Sequence, residues 1–146
     1  MRWPGSIIFM RLTHVEYNET VMSHFLNPRN TGDIPDATCR ATVVNSLCGD
    51  VIKLSLKIEQ GVICDAKAKT YGCAAAIASA SVLTELLTGK SVADAAAIRN
   101  ADVVRALGGL PEEKIRCSLS AEEVVQKTLV GYNGRSPDGK SLKEVH

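Results

Sequence analysis

The sequence predicts an α+β domain: a three-stranded antiparallel sheet with helices packed on one face. Two observations carry this. Ile52, Leu54, Leu56 and Ile58 alternate strictly with Lys53, Ser55, Lys57 and Glu59, the period-two signature of a strand with one buried and one wet face. Beyond Gly72 the apolar spacing changes to a helical period. Strands therefore come first and helices afterwards, which argues against an alternating parallel fold.

Each element has its own signal. The first fifteen residues, with Trp3, Pro4 and the apolar Ile7, Ile8 and Phe9, show no period and read as an extension, with Met10 and Met22 as alternative starts. Val21, Met22, Phe25 and Leu26 make residues 17–26 an amphipathic helix. It stops at Asn27-Pro28, because the residue before a proline is pushed out of the helical region. Gly32 and Pro35 mark a loop, and residues 41–44 a first strand. The alternating strand 52–59 follows, then a tight turn at Gln60-Gly61. In the return strand Val62, Cys64, Ala66 and Ala68 alternate with Asp65, Lys67 and Lys69, so the pair is a hairpin.

The alanine-rich residues 73–88 form a helix with Ile77, Ala80, Leu83, Thr84 and Leu87 on one face, ended by Gly89. Residues 91–98 and 101–107 make two shorter helices, the second broken by Gly108-Gly109. Ser120 and Glu123 read as a capping box for a last helix, whose inner face is Val124, Val125, Thr128 and Leu129 and which ends near Gly131. Residues 133–146 are polar, with Pro137 and Gly139, and read as a flexible tail. The expected organisation is an extension over 1–15, one domain over 16–132 and a tail over 133–146.

Bulk properties exclude several functions. A chain of 146 residues, 45% hydrophobic, buries one core and is short for two. A formal charge of +1 with acids and bases interspersed leaves no electrostatic footprint for nucleic acid or an anionic membrane. No apolar run approaches the roughly 20 residues that span a bilayer, and residues 5–10 are too short for a signal-peptide core, so a cytoplasmic protein is expected. Five cysteines leave one over in any disulfide scheme. A reduced compartment fits, with cysteines kept for metal or catalysis.

Three cysteines stand apart. Cys48 lies in Leu47-Cys48-Gly49-Asp50. In extended chain that spacing sets thiol and carboxylate on one side, with Gly49 allowing a sharp bend or close approach. Cys73 falls between the turn residue Gly72 and a helix start, where free backbone N–H groups and the helix dipole favour a thiolate. Cys117 also precedes a helix, with Lys114 and Arg116 beside it. Cys64, alternating with Ala66 and Ala68, reads as a small buried hydrophobe, and Cys39 as structural or incidental. There is no C-x-x-C pair, so spacing leaves two readings open: one metal site of Cys48, Asp50, Cys73 and Cys117 at one end of the sheet, or three unrelated core cysteines. Cysteine-histidine catalysis has less support, since His14 and His24 read as surface residues in or near the first helix and His146 lies in the tail.

Together these segments resemble the IscU/NifU N-terminal family of iron-sulfur scaffold proteins over residues 16–132. The resemblance is carried by His24-Phe25-Leu26-Asn27-Pro28-Arg29-Asn30, Cys48-Gly49-Asp50, Lys69-Thr70-Tyr71-Gly72-Cys73 running on through Ala76-Ile77-Ala78-Ser79, Thr84-Glu85, Gly89-Lys90-Ser91, and Leu110-Pro111-Glu112-Glu113-Lys114-Ile115-Arg116-Cys117-Ser118, in the family's order. It implies that Cys48, Cys73 and Cys117 take the positions of the cluster-binding cysteines, and Asp50 that of the aspartate that governs how readily the cluster leaves. It also implies that Cys117 accepts persulfide sulfur from a cysteine desulfurase. Iron would enter at the same site, electrons would come from a ferredoxin-like donor, and a transient [2Fe-2S] cluster would pass to recipient apo-proteins. Such a protein is a scaffold without turnover of its own.

The chain departs from the family pattern at two places. Arg116 stands where the IscU branch has a histidine before the third cysteine, and an arginine stays protonated and cannot ligate. Asp50 is then the better fourth ligand. Leu110-Pro111-Glu112-Glu113-Lys114 replaces the apolar motif offered to an Hsp70-type chaperone, which puts that partnership in doubt. A basic residue before the third cysteine also resembles the SufU branch, zinc-bearing sulfur acceptors, but that branch carries an insertion between its second and third cysteines. Cys73 and Cys117 are only 44 positions apart. The scaffold branch is preferred, with a zinc-dependent sulfurtransferase as the alternative.

Overall fold

The computed structural model describes residues 10–12, 15–45, 49–112, 114–115 and 119–133. Its elements run β1 (Met10–Leu12), β2 (Val15–Tyr17), α1 (Glu19–Leu26), β3 (Cys39–Asn45), β4 (Asp50–Glu59), β5 (Val62–Tyr71), α2 (Ala74–Leu87), α3 (Val92–Ala96), α4 (Asn100–Ala106) and α5 (Leu119–Asn133). β3, β4 and β5 form one antiparallel sheet in that order. This is the α+β architecture that the alternation and the late helices predict.

The period-two pattern sets the layers. Ile52, Leu54 and Leu56 are wholly buried and Ile58 nearly so, because α2 and α5 pack on that face of the sheet. Among the described residues, the other face is open at its end nearest residue 50. There Val44, Val51 and Tyr71 share one cross-strand row, and Val44 and Tyr71 are exposed. The Gln60-Gly61 turn is the expected tight one: both residues hold positive φ, 54° and 77°, the two-residue loop whose twist matches its strands. No helix among the described residues is long and apolar enough to cross a membrane.

Met10 pairs with Tyr17 and Leu12 with Val15, in strands of three residues that are too short to display a period. Four sequence expectations are corrected. Cys64, expected inside, is exposed. Lys57 pairs with Asp65 and Ile58 with Ile63, so Cys64 is the extra residue of a β-bulge, which turns Ile63 inward and the thiol outward. Ser55, expected on the wet face, is buried because its hydroxyl donates to the Asp33 carboxylate that folds over it. Ser120 does not cap the last helix: α5 already begins at Leu119, and Ser120 is buried inside its first turn.

The remaining helices follow the sequence closely. Val124, Val125, Thr128 and Leu129 form the buried face of α5, and Ser91 caps α3 by accepting the Asp94 N–H. α2 buries more than one face, its Ala74–Ala76, Ala78–Thr84 and Leu87 all being covered. Short alanine and serine side chains let β5, α1, α4 and α5 approach it from several sides.

His24, expected at the surface, is also buried. Its ring sits between α1 and α2, with Nδ1 2.7 Å from Ser81 Oγ and Nε2 3.6 Å from Glu85 Oε1. Ser81 Oγ also accepts the Arg29 N–H, which ties the turn after α1 to the same hydroxyl. Burial, and then the Arg29 charge, hold the ring's pKa below its ordinary value, while Glu85 opposes them. The unfolded chain therefore takes up this proton at a higher pH than the folded one. Stability is full above about pH 6.5, falls as the pH drops through that value, and levels off below the folded pKa. In urea titrations between pH 7.5 and 5, His24→Gln is expected to flatten this decline; an unchanged slope would assign it to other groups.

A candidate thiol and carboxylate site

Sheet register builds the site. Asp50 opens β4 opposite Asn45, the last residue of β3, and the adjacent pair Val51–Tyr71 brings the end of β5 alongside. Gly72 and Cys73 follow at once, and Cys73 is the N-cap of α2, with an extended backbone and no capping bond from its own side chain. The Asp50 carboxylate reaches this helix end from the neighbouring strand. Its Oδ1 accepts the Cys73 backbone N–H at 3.1 Å, and its Oδ2 accepts from the Cys73 thiol at 3.6 Å.

These contacts answer a physical need. Asp50 is only 3% exposed, and a buried carboxylate is costly without donors. A helix N-terminus supplies free N–H groups and the positive end of the dipole. The result is a soft sulfur donor and a hard oxygen donor held side by side, a pairing suited to iron or zinc. Cys73 remains half-buried.

The two flanking glycines act for different reasons. Gly49 has φ +74° with open space around the position of a Cβ, so glycine is needed there for the bend, and its N–H closes the connection by donating to Asn45 O at 2.6 Å. Gly72 is not among the positive-φ glycines; a Cβ there would fall 2.2 Å from Asp50 Oδ1. The close approach foreseen at Gly49 thus belongs to Gly72.

Of the four expected ligands the structure brings Asp50 and Cys73 together. Cys48 and Cys117, with Arg116, lie outside the described residues. Among the described residues no group of three or more His, Cys, Asp or Glu is arranged to hold a metal ion. Cys39 is excluded from the site: it pairs with Leu56, six residues down β3 from Asn45, about 20 Å away. Cys64 lies toward that same far end, beside the Lys57 carbonyl. Sequence reasoning also missed a clamp at the start of α5, the helix that follows Cys117 in the chain. Asn100 N–H donates to Glu122 Oε1 at 3.1 Å, and Glu122 N–H to Asn100 Oδ1 at 2.9 Å.

A small α+β domain that sets a half-buried thiol against a buried carboxylate, at the junction of strand and helix, defines a candidate thiolate-carboxylate metal-binding protein. A family model described as NifU-like N terminal domain matches residues 16–138. The iron-sulfur cluster assembly scaffold protein IscU 1 of Archaeoglobus fulgidus is 40% identical over 129 residues, 88% of this chain and 84% of that protein. Its counterpart IscU of Escherichia coli (strain K12) is 43% identical over 123 residues, 82% of this chain and 95% of that protein. The crystal structure of the N-terminal NifU-like protein from Brucella abortus shares the fold, with a TM-score of 0.68 at 20% identity, over 82% of this chain and 95% of that one. The chain belongs to the NifU-like N-terminal domain family.

Proposed function

We propose that this protein is a cytoplasmic scaffold on which iron-sulfur clusters are assembled and from which they are handed to apo-proteins, with Cys48, Asp50, Cys73 and Cys117 as the ligands. The observation that carries this reading is the Asp50 carboxylate resting on the sulfur and amide of Cys73. Three thiolates hold iron firmly, whereas one harder oxygen ligand makes a corner from which the cluster can leave. Cys48 is two residues from Asp50 in the chain, and Cys117 is the sulfur acceptor. In that step the outer sulfur of a desulfurase persulfide is attacked by the Cys117 thiolate. The donor's S–S bond breaks as the new one forms, and the desulfurase leaves as a thiolate. Iron and electrons from a ferredoxin-like donor then complete a [2Fe-2S] cluster, which is cargo.

Anaerobic reconstitution with iron, sulfide and a desulfurase tests the proposal. Visible cluster absorption is expected, together with bound iron and sulfide by native mass spectrometry; equal binding by a variant lacking Cys48, Cys73 and Cys117 would end it. The same donor set also accepts zinc, so the alternative is a zinc-dependent sulfur acceptor. Zinc that iron cannot displace, with sulfur still passing from the desulfurase to the protein, would favour that alternative. Asp50→Ala removes the hard corner. Transfer to an apo-ferredoxin is expected to slow by on the order of tenfold, the scale on which changes around a metal move its affinity; an unchanged or faster transfer counts against the role of Asp50.

A further inference from the structure

We propose that Gly72 is a positioning residue for Asp50: its missing side chain is the space in which the carboxylate lies. A Cβ at residue 72 would stand 2.2 Å from Asp50 Oδ1, 2.5 Å from Cγ and 2.8 Å from Cβ. All three are inside the closest separation that carbon allows. Rotating the Asp50 side chain can move its oxygen and Cγ, but its Cβ is fixed to the strand, so the first residue of β4 must also shift. No positive φ asks for glycine here. Space alone does, and the register of β4 with β5 creates that demand by setting Val51 against Tyr71.

The consequence is specific. Any side chain at residue 72 drives the carboxylate off the Cys73 N–H and the Cys73 sulfur, the two groups it now engages at 3.1 and 3.6 Å. Gly72 touches neither sulfur nor metal and acts only through Asp50. Its effect on cluster release rests on the scaffold reading; its effect on the Asp50–Cys73 contact does not.

Amide hydrogen exchange of the metal-free chain tests the contact. A hydrogen bond to a charged group protects strongly, so Gly72→Ala is expected to speed exchange at the Cys73 amide by roughly ten- to a hundredfold, as Asp50→Ala does. Asp50→Gly deletes the three atoms nearest the new Cβ. Adding Gly72→Ala to Asp50→Gly should therefore change neither exchange at Cys73 nor the unfolding midpoint further, which keeps the test readable even if Gly72→Ala alone folds poorly. Retained protection in Gly72→Ala, or an equal cost of that change in both backgrounds, overturns the proposal. Cluster transfer is the functional readout: Gly72→Ala should slow it as Asp50→Ala does and add nothing in an Asp50→Gly background. A chain that holds no cluster under any condition would defeat the scaffold reading while leaving the exchange result to decide the role of Gly72.

Discussion

Cys73→Ala is expected to abolish cluster absorption after anaerobic reconstitution, while Cys64→Ala leaves it at the level of the unaltered protein. Both residues are free thiols, and Cys64 is the more exposed, so a reaction that merely captured iron and sulfide on accessible sulfur would favour Cys64. The structure separates them by environment. Cys73 caps α2 beside the Asp50 carboxylate, where a hard donor and a helix dipole meet one sulfur. Cys64 stands at a bulge with its sulfur on the Lys57 carbonyl, and a single sulfur without converging donors does not hold a cluster. Loss of absorption in Cys64→Ala with Cys73→Ala unaffected would mean that sulfur exposure and not site geometry governs assembly. The alanine at residue 73 keeps the N-cap backbone and should leave the fold intact, which circular dichroism of the apo-protein checks.

How much of this could be read from the chain depends on the range of each interaction. The β4–β5 hairpin was legible because its alternation and its turn are both local, and α2 because a helical period and a closing glycine bracket it. The bulge at Cys64 was not. One inserted residue changes which face a strand presents while leaving Cys64, Ala66 and Ala68 still two apart. The burial of His24 depends on Ser81, 57 positions away, so no window along the sequence contains both partners.

At the site, Asp50 and Cys73 could be nominated by residue type, yet their contact depends on strand register. The same is true of the glycines. Composition marks Gly49 and Gly72 alike, and only the fold shows that one supplies a bend and the other room. Register also sets Cys39 apart from the site. It lies at the far end of β3, turned into the core with 5% of its surface exposed.

The core itself yields the largest expected stability effect. Leu83 is completely buried at the middle of α2, the helix that touches α1, β5, α4 and α5. Leu83→Ala removes three carbons' worth of packing there, and a cavity among close-packed neighbours that cannot all collapse costs about 2–5 kcal/mol. The slightly better helix propensity of alanine returns only about 0.2 kcal/mol. Against a total stability of about 5–15 kcal/mol for a domain of this kind, the urea midpoint should fall markedly with an unchanged slope. Leu26→Ala, at a side chain 65% exposed on α1, provides the contrast and should stay within about 0.5 kcal/mol. Because α2 presents Cys73 at its N-cap, a loosened α2 should also hold cluster less well at temperatures near its lowered midpoint and normally well below it. A Leu83 variant as stable as Leu26→Ala would mean that α2 is not the centre of the core, and with it would go the rigid platform on which Asp50 and Cys73 are set.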